Sequence, residues 1–360
     1  MKNITKSIIG LFAVLAFSCS PSDIQDRPES ITTDLPVLTA PQSGAIYELK
    51  GVNAALQAER FTWSSANFGD AKVTYTIEID TKVNNFAGTS AFKNLGSVEA
   101  QNQLSVSVAT MDEVALALGA VPYSPNEFVV RIKAAAGTAP VMYSNVIGIV
   151  ISPYINPARL WMPGGYQAAS GYGNDWTPAT APELAPSGPN KPDLEGYVNI
   201  AKVETFKLNV DATWDKPQFG LGAATSDTEG TVKLSSADNI PTPTAIGYYL
   251  IEVNAEKLSY KFTKTDWGII GDATPGGWDN STNMTYNATT KVWTITANLT
   301  VGSMKFRANN SWDINYGDTG ADKKLEFNSP DNIAVTAAGN YTITLNLSSP
   351  RAYTYNIIKN

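Results

Sequence analysis

Between Asp34 and Pro153 apolar and polar residues alternate in short, β-branched runs. "FTWSSA", "KVTYTIEID", "QLSVSVA", "EFVVRIKA" and "SNVIGIVIS" each read as strands, separated by clusters of Gly, Asn, Asp and Pro. One segment breaks the alternation: "MDEVALALGA" sets Val114, Leu116 and Leu118 among helix formers and stops at Gly119, which predicts a single helix. Short strands at this density predict an immunoglobulin- or fibronectin-III-like sandwich over residues 34–153.

After "SPYINPARLW" the loops lengthen and fill with Gly, Pro, Asn and Trp, and two segments can be laid on one another. Gly247, Tyr249, Ile251 and Asn254 in "GYYLIEVN" match Gly339, Tyr341, Ile343 and Asn346 in "GNYTITLN", and "KLSSADNI" matches "KLEFNSPDNI". Further upstream Lys207 follows Phe206 as Arg307 follows Phe306; then come Trp214 and Trp312, then Phe219-Gly220 and Tyr316-Gly317. The constant order predicts a duplicated β domain, 154–263 and 264–360, because a period near a hundred residues is a domain duplication rather than a solenoid. The expected class is therefore all-β, an Ig-like sandwich followed by two tandem β-sandwiches.

The amino terminus has a different character. Lys2 and Lys6 precede the apolar run "IIGLFAVLAF", which is too short to span a bilayer, and Ala16 and Ser18 stand just before Cys19. Residues 1–18 read as an export signal, and Cys19, the sole cysteine, sits where a bacterial lipoprotein signal is cut and the new terminus acylated. Residues 19–33, with Pro21, Pro28, Asp23 and Asp26 and no apolar periodicity, read as a flexible tether. Serine and acids directly after such a cysteine resemble the surface-export signals of Bacteroidetes lipoproteins, which places the expected product on the outer face of the outer membrane.

Composition narrows the chemistry. Net charge is −7, and −9 once Lys2 and Lys6 leave with the signal, which argues against nucleic acid as a partner. With no histidine, Ser-His-Asp and Cys-His catalysis and most zinc sites are excluded, and one cysteine excludes a disulfide. No Gly-rich phosphate loop is present, and Asp318 and Asp322 lack a calcium-loop pattern. Asp beside Trp in "TWD", "GWDN" and "SWD" offers carboxylates, but their recurrence in both copies is better explained by shared fold than by two active sites. A non-enzyme without metal or cofactor is expected.

Strand alternation separates core aromatics from surface ones. In "VWTITANLTV" Trp293, Ile295, Ala297 and Leu299 share one face, so Trp293 is expected in the core. The same logic buries Phe306 and turns Lys305 and Arg307 outward; in the earlier copy it buries Phe206, Leu208 and Val210 and exposes Lys207. Trp214 and Trp312 follow in polar turns with no apolar pattern to absorb an indole. Either they plug the sandwich ends, or they form a carbohydrate platform, a planar ring for a pyranose face with hydrogen-bonding groups around it. The recurrence of a basic residue, a Trp and a second basic residue, Lys233 or Lys324, favours the platform. Trp176 in "GYGNDWTP" and Trp278 in "PGGWDNS" form a second matched pair that either completes the platform or caps the core. The candidate glycan contacts are Trp312, Arg307, Lys324, Lys305, Tyr316, Asn309 and Trp278, with Trp214, Lys207, Lys233 and Trp176 in the middle copy.

A lipoprotein signal ending "FSCS", the opening "LPVLTAPQSGAIYEL" with "FTWSSA", and the closing "GDATPGGWD", "KVWTITANLTVGSMKFRANNSWDINYG" and "DNIAVTAAGNYTITLNL" together resemble the SusE/SusF family. Those are outer-membrane starch-binding lipoproteins of Bacteroidetes glycan-uptake systems. The resemblance implies two carbohydrate-binding-like β-sandwich domains on a non-catalytic surface protein, working beside a SusC-like TonB-dependent transporter and a SusD-like binding protein. It further implies that Trp312 is the platform and that Arg307 and Lys324 donate to sugar hydroxyls. The middle copy lacks the "NNSW" asparagines and has Phe219 where the last has Tyr316. The competing reading is a structural or adhesive β-domain protein that binds a protein partner.

Overall fold

The computed structural model describes residues 34–360 except 89, 90 and 190; the signal, the tether and Cys19 lie outside the described residues. The chain packs as two compact units. One gathers residues 34–46 with 57–106 and 127–150, and the other gathers 47–56, 107–126 and 151–360. Apart from one α-helix and two short 3-10 turns, the regular elements among the described residues are all strands.

In the first unit Leu38–Ala40, Gln57–Trp63 and Gln103–Ser107 form a three-stranded sheet. A larger sheet runs Ala45–Glu48, Ile147–Ser152, Asn126–Ala135, Thr74–Thr81, Lys93–Glu99. The expected alternation is realised: Phe61 and Trp63, Tyr75, Ile77 and Ile79, and Phe128, Val130 and Ile132 are buried. Glu78 is a buried acid, and Arg131 satisfies it at 2.8 Å while its guanidinium lies 4.0 Å from the rings of Phe86 and Tyr143.

The helix belongs to the second unit and starts three residues earlier than its sequence pattern predicts, at Val108–Ala117. Ser107 is the reason: its Oγ accepts the Thr110 N–H at 3.1 Å, a side-chain cap that lies upstream of the apolar run. The helix ends as expected, with Gly119 in the left-handed region (φ 86°) and its N–H on the Leu116 carbonyl. Val108, Met111 and Ala115 form its buried stripe.

The middle copy of the repeat differs from the sandwich expected. Eight strands close into a barrel in the order Leu160–Trp161, Glu183–Pro186, Asp193–Ile200, Gly247–Asn254, Ser259–Lys264, Glu229–Leu234, Gln218–Ala224, Leu208–Asn209 and back to the first. In the last copy the equivalent strands stay as two sheets. One runs Gly277–Asn283, Trp267–Gly271, Gly302–Ala308, Asn315–Gly317, Glu326–Phe327, and the other Thr285–Asn287, Val292–Leu299, Gly339–Asn346, Thr354–Lys359. Strand length explains one of the two open edges. Glu229–Leu234 is long enough to pair with Ser259–Lys261, whereas its two-residue counterpart Glu326–Phe327 leaves only the isolated bridge Lys324 to Thr354.

The two segments also agree in a local detail. Tyr249 and Tyr341 both donate their hydroxyl to the carbonyl four residues upstream, Ala245 and Ala337. The copies also share a core. Tyr197 and Tyr248 leave the barrel wall, stack on each other at 5.9 Å, and pack against Trp267, Trp293 and Tyr353 of the last copy. Arg351 adds ion pairs to Asp193 and Glu195.

Candidate functional site

The strand Gly302–Ala308 positions the last copy's site. Pairing of Phe306 with Tyr316 and of Arg307 with Asn315 puts Phe306 and Tyr316 on the core face and Arg307 and Asn315 on the other. Tyr316 is accordingly buried against Trp267 at 5.6 Å, with its hydroxyl 3.3 Å from that of Tyr197. It is a core residue, not a surface contact, and the strand pairing that buries Phe306 is the cause.

Lys305 and Arg307 do leave the core face, as alternation requires, but both are buried, at 8% and 3% exposed. Over Lys305 the chain segment 328–331 folds down, close enough that a Cβ on Gly317 would meet the Asp331 carbonyl oxygen at 2.0 Å. The Lys305 ammonium donates to the Ser329 carbonyl beneath that segment. Burial lowers its pKa, partly offset by the nearby Asp331 carboxylate. Lys207 does the same in the barrel, donating to the carbonyls of Ser236 at 2.6 Å and Asp238 at 2.7 Å, and its pKa too is lowered by burial. Both lysines pin a loop.

This shared role corrects the register of the repeat. Leu208 pairs with Phe219 as Phe306 pairs with Tyr316, and Asn209 with Gln218 as Arg307 with Asn315. Lys207 therefore corresponds to Lys305, and Asn209 to Arg307. A slip of two residues preserves which face a strand residue occupies, so the sequence pattern is blind to it. The second basic residue does not recur either: Lys233 lies opposite Gly220, and the residue opposite Gly317 is Glu326.

The tryptophans form the site. Trp312, 46% exposed, lies at 6.2 Å from Trp278, 39% exposed, with their planes 30° apart. In the barrel Trp214, 44% exposed, lies 6.5 Å from the partly buried Trp176 at 36°. Each copy thus presents a pair of indoles on its surface. The carboxamides of equivalent residues hold each turn, Gln218 donating to the Trp214 carbonyl at 3.2 Å and Asn315 to the Trp312 carbonyl at 2.9 Å. Beneath the last pair the Arg307 guanidinium sits 4.9 Å from the Trp312 ring, and burial lowers its pKa.

The remaining candidates stand apart from the indoles. Lys324 is exposed and paired with Asp322 at 2.8 Å, and no contact joins it to Trp312. Asn309 is held in the left-handed region (φ 56°), where it donates to the Lys264 carbonyl and accepts the Asp266 N–H, both at 2.8 Å; it anchors a turn. Sequence reasoning missed Asn310, Ser281 and Asp279, which hold Arg307. The Asn-Asn pair before Trp312 was the available sign, because asparagine tolerates the positive φ both residues adopt. Among the described residues no group of three acidic, Cys or His side chains is placed to hold a metal, and no helix is long and apolar enough to cross a membrane.

Residues 22–133 match the SusE outer membrane protein family. Among solved structures, SusF from Bacteroides thetaiotaomicron is 15% identical, with 89% of this chain and 77% of that chain covered and a TM-score of 0.27. The periplasmic chaperone SfaE is 13% identical over 64% of this chain and 96% of that chain, with a TM-score of 0.19. Similarity at this level lends no support to a shared ligand. No curated protein matches the chain.

Proposed function

We propose that the protein is a non-catalytic polysaccharide-binding lipoprotein of the outer membrane. It is anchored through Cys19, faces outward, and holds starch or a related glycan near a SusC/SusD-like uptake complex. The observation that carries this reading is the recurrence of an exposed indole, Trp312 or Trp214, lying 6.2 or 6.5 Å from a second indole. An isolated surface Trp needs no explanation, but the same polar turns bringing two rings together twice does. Two indoles at about 6 Å give adjoining apolar faces on which pyranose C–H groups can lie, and Asp279 and Asp313, exposed beside Trp278 and Trp312, are acceptors for sugar hydroxyls.

One stacked ring contributes roughly 1 to 2 kcal/mol. A single pair is therefore a weak site, on the order of millimolar once association costs are met. Two sites on one chain raise the affinity for a polymer through effective concentration, which gives the duplication a use for polysaccharide that it lacks for a monosaccharide. The family match over residues 22–133 supports the outer-membrane setting.

The test is retardation of the protein in native gels containing soluble starch, pullulan, mixed-linkage β-glucan or galactomannan, each separately. At least one is expected to retard it, and the Trp312→Ala, Trp214→Ala double variant to migrate freely. Retardation that survives in the double variant, or none with any polysaccharide alongside capture of a protein partner, would favour the adhesive alternative.

A further inference from the structure

The two indole pairs are not built alike, and the difference lies in one side chain beneath each. Arg307 donates from Nε to the Ser281 hydroxyl at 2.7 Å, and from Nη2 to the Asp279 carbonyl at 3.2 Å and to the Asn310 side-chain oxygen. That oxygen also accepts the Ser281 N–H at 2.9 Å. One guanidinium and one carboxamide therefore staple the strand carrying Trp278 to the turn carrying Trp312, while the guanidinium supports the underside of the Trp312 ring. At 3% exposure Arg307 has almost no surface with which to meet a ligand. All three acceptors are neutral, so the charge is used for geometry and not to neutralise an acid.

In the barrel the corresponding residues are Asn209 and Ala212. Asn209 donates to the Thr213 carbonyl at 2.6 Å inside its own turn, and its buried side-chain oxygen has no partner among the described residues. No side-chain hydrogen bond among the described residues links the Trp214 turn to the loop that carries Trp176. That indole is instead held by its own backbone, with a positive φ of 58° and its N–H on the Gly164 carbonyl.

We propose that Arg307 is a positioning residue that fixes Trp278 and Trp312 as a rigid platform, and that the last copy is in consequence the tighter of two unequal glycan sites. The ranking rests on the functional reading above; the positioning does not. A platform already in its bound arrangement avoids the ordering cost that a loose one meets on binding.

Two readouts on the full chain separate these parts. Close indoles couple as excitons, so each pair contributes a couplet to the circular dichroism, assigned by its loss in Trp312→Ala or Trp214→Ala. Arg307→Met keeps side-chain length but removes the donors and the charge. It is expected to diminish the Trp312-dependent couplet while leaving the Trp214-dependent one, and to weaken binding to the retarding polysaccharide about tenfold, with Arg307→Lys recovering part of both. Trp312→Ala is expected to weaken binding more than Trp214→Ala. Should Arg307→Met fail to fold, Asn310→Ala removes the same staple and carries the same expectation. A folded Arg307→Met or Asn310→Ala with an unchanged couplet overturns the positioning role. Weaker binding in Trp214→Ala than in Trp312→Ala overturns the ranking. If none of the four polysaccharides retards the wild type, the functional reading and the ranking fall together, and the couplet still decides the positioning.

Discussion

Replacing Trp312 by alanine probes the surface role of the indole most directly. A tryptophan side chain carries up to about 250 Å² of surface, and Trp312 keeps 46% of its surface open, which leaves roughly 110 Å² available. A pyranose lying on one ring face covers about half of that, or ~55 Å², worth about 1.4 kcal/mol at ~25 cal/mol per Å² and hence about tenfold in dissociation constant. Loss of the ring should lower folding stability by no more than about 2 kcal/mol, below the ~3 to 5 kcal/mol of a core tryptophan, since Trp312 is only about half buried, against the Arg307 guanidinium and the stacked ring of Trp278. Affinity electrophoresis and isothermal titration measure the first quantity, and a urea melt the second. Trp278→Ala should behave similarly, and the double variant should lose less than the sum because the two rings serve one ligand face. Unaltered affinity in a well-folded Trp312→Ala, or a stability loss of several kcal/mol, would return the ring to a structural plug and refute the reasoning.

Three further outcomes are expected. Trp293→Ala should lower stability by roughly 3 to 5 kcal/mol with little direct effect on the surface site, because the ring is buried against Tyr248 and Tyr286; a urea melt near wild type would contradict this. Asp112 is pushed up to about 6, first by burial and against the Tyr154 N–H it accepts, so the folded state holds its proton more tightly than the unfolded one and stability falls as pH rises from about 4 through about 6. Asp112→Asn keeps the acceptor and should gain roughly 1 to 3 kcal/mol at pH 7.5 but little at pH 4, with melts of equal pH dependence in both proteins counting against it. Cys19→Ala should release the protein from the membrane fraction, and continued anchoring detected by detergent partitioning would remove the lipid attachment.

The strands were legible because a strand writes its two faces into the sequence at every second residue. Trp293 and Phe306 were placed in the core on that basis, and they are there. Depth of burial was not legible. Lys305 and Arg307 face outward as the pattern says, yet what covers them is segment 328–331 in one case and the strand bearing Ser281 in the other, both distant in sequence. Register was not legible either. Matching Lys207 to Arg307 conserves face and charge, and only the pairing with Gln218 and Asn315 shows that the match is two residues out. Tyr316, a candidate glycan contact by sequence, is the cross-strand neighbour of Phe306 and so lies in the core, a pairing no local pattern announces. The sequence matched Trp214 with Trp312 and Trp176 with Trp278 between the copies and left open whether the second match completes a platform or caps the core, because nothing in a linear pattern supplies the distance that brings Trp278 to Trp312 and Trp176 to Trp214.

The aromatic layer shared by the barrel and the last copy removes the freedom that tandem modules on a linker would have. Tyr197 and Tyr248 lie on what would be the outer wall of an isolated barrel, and they are covered by Trp267, Trp293 and Tyr353. Severing the chain near residue 264 would uncover apolar rings on both products, so neither half should be soluble alone, and intact they should melt in one transition. The spacing between the two indole pairs is then a constant of the molecule. A flexible tandem binder accepts any polymer long enough to reach both sites, whereas a rigid one responds to the polymer's own pitch. On the proposed polysaccharide-binding reading, glycans of identical sugar composition but different helical shape should therefore be told apart, with the seam between the copies acting as the measuring rule.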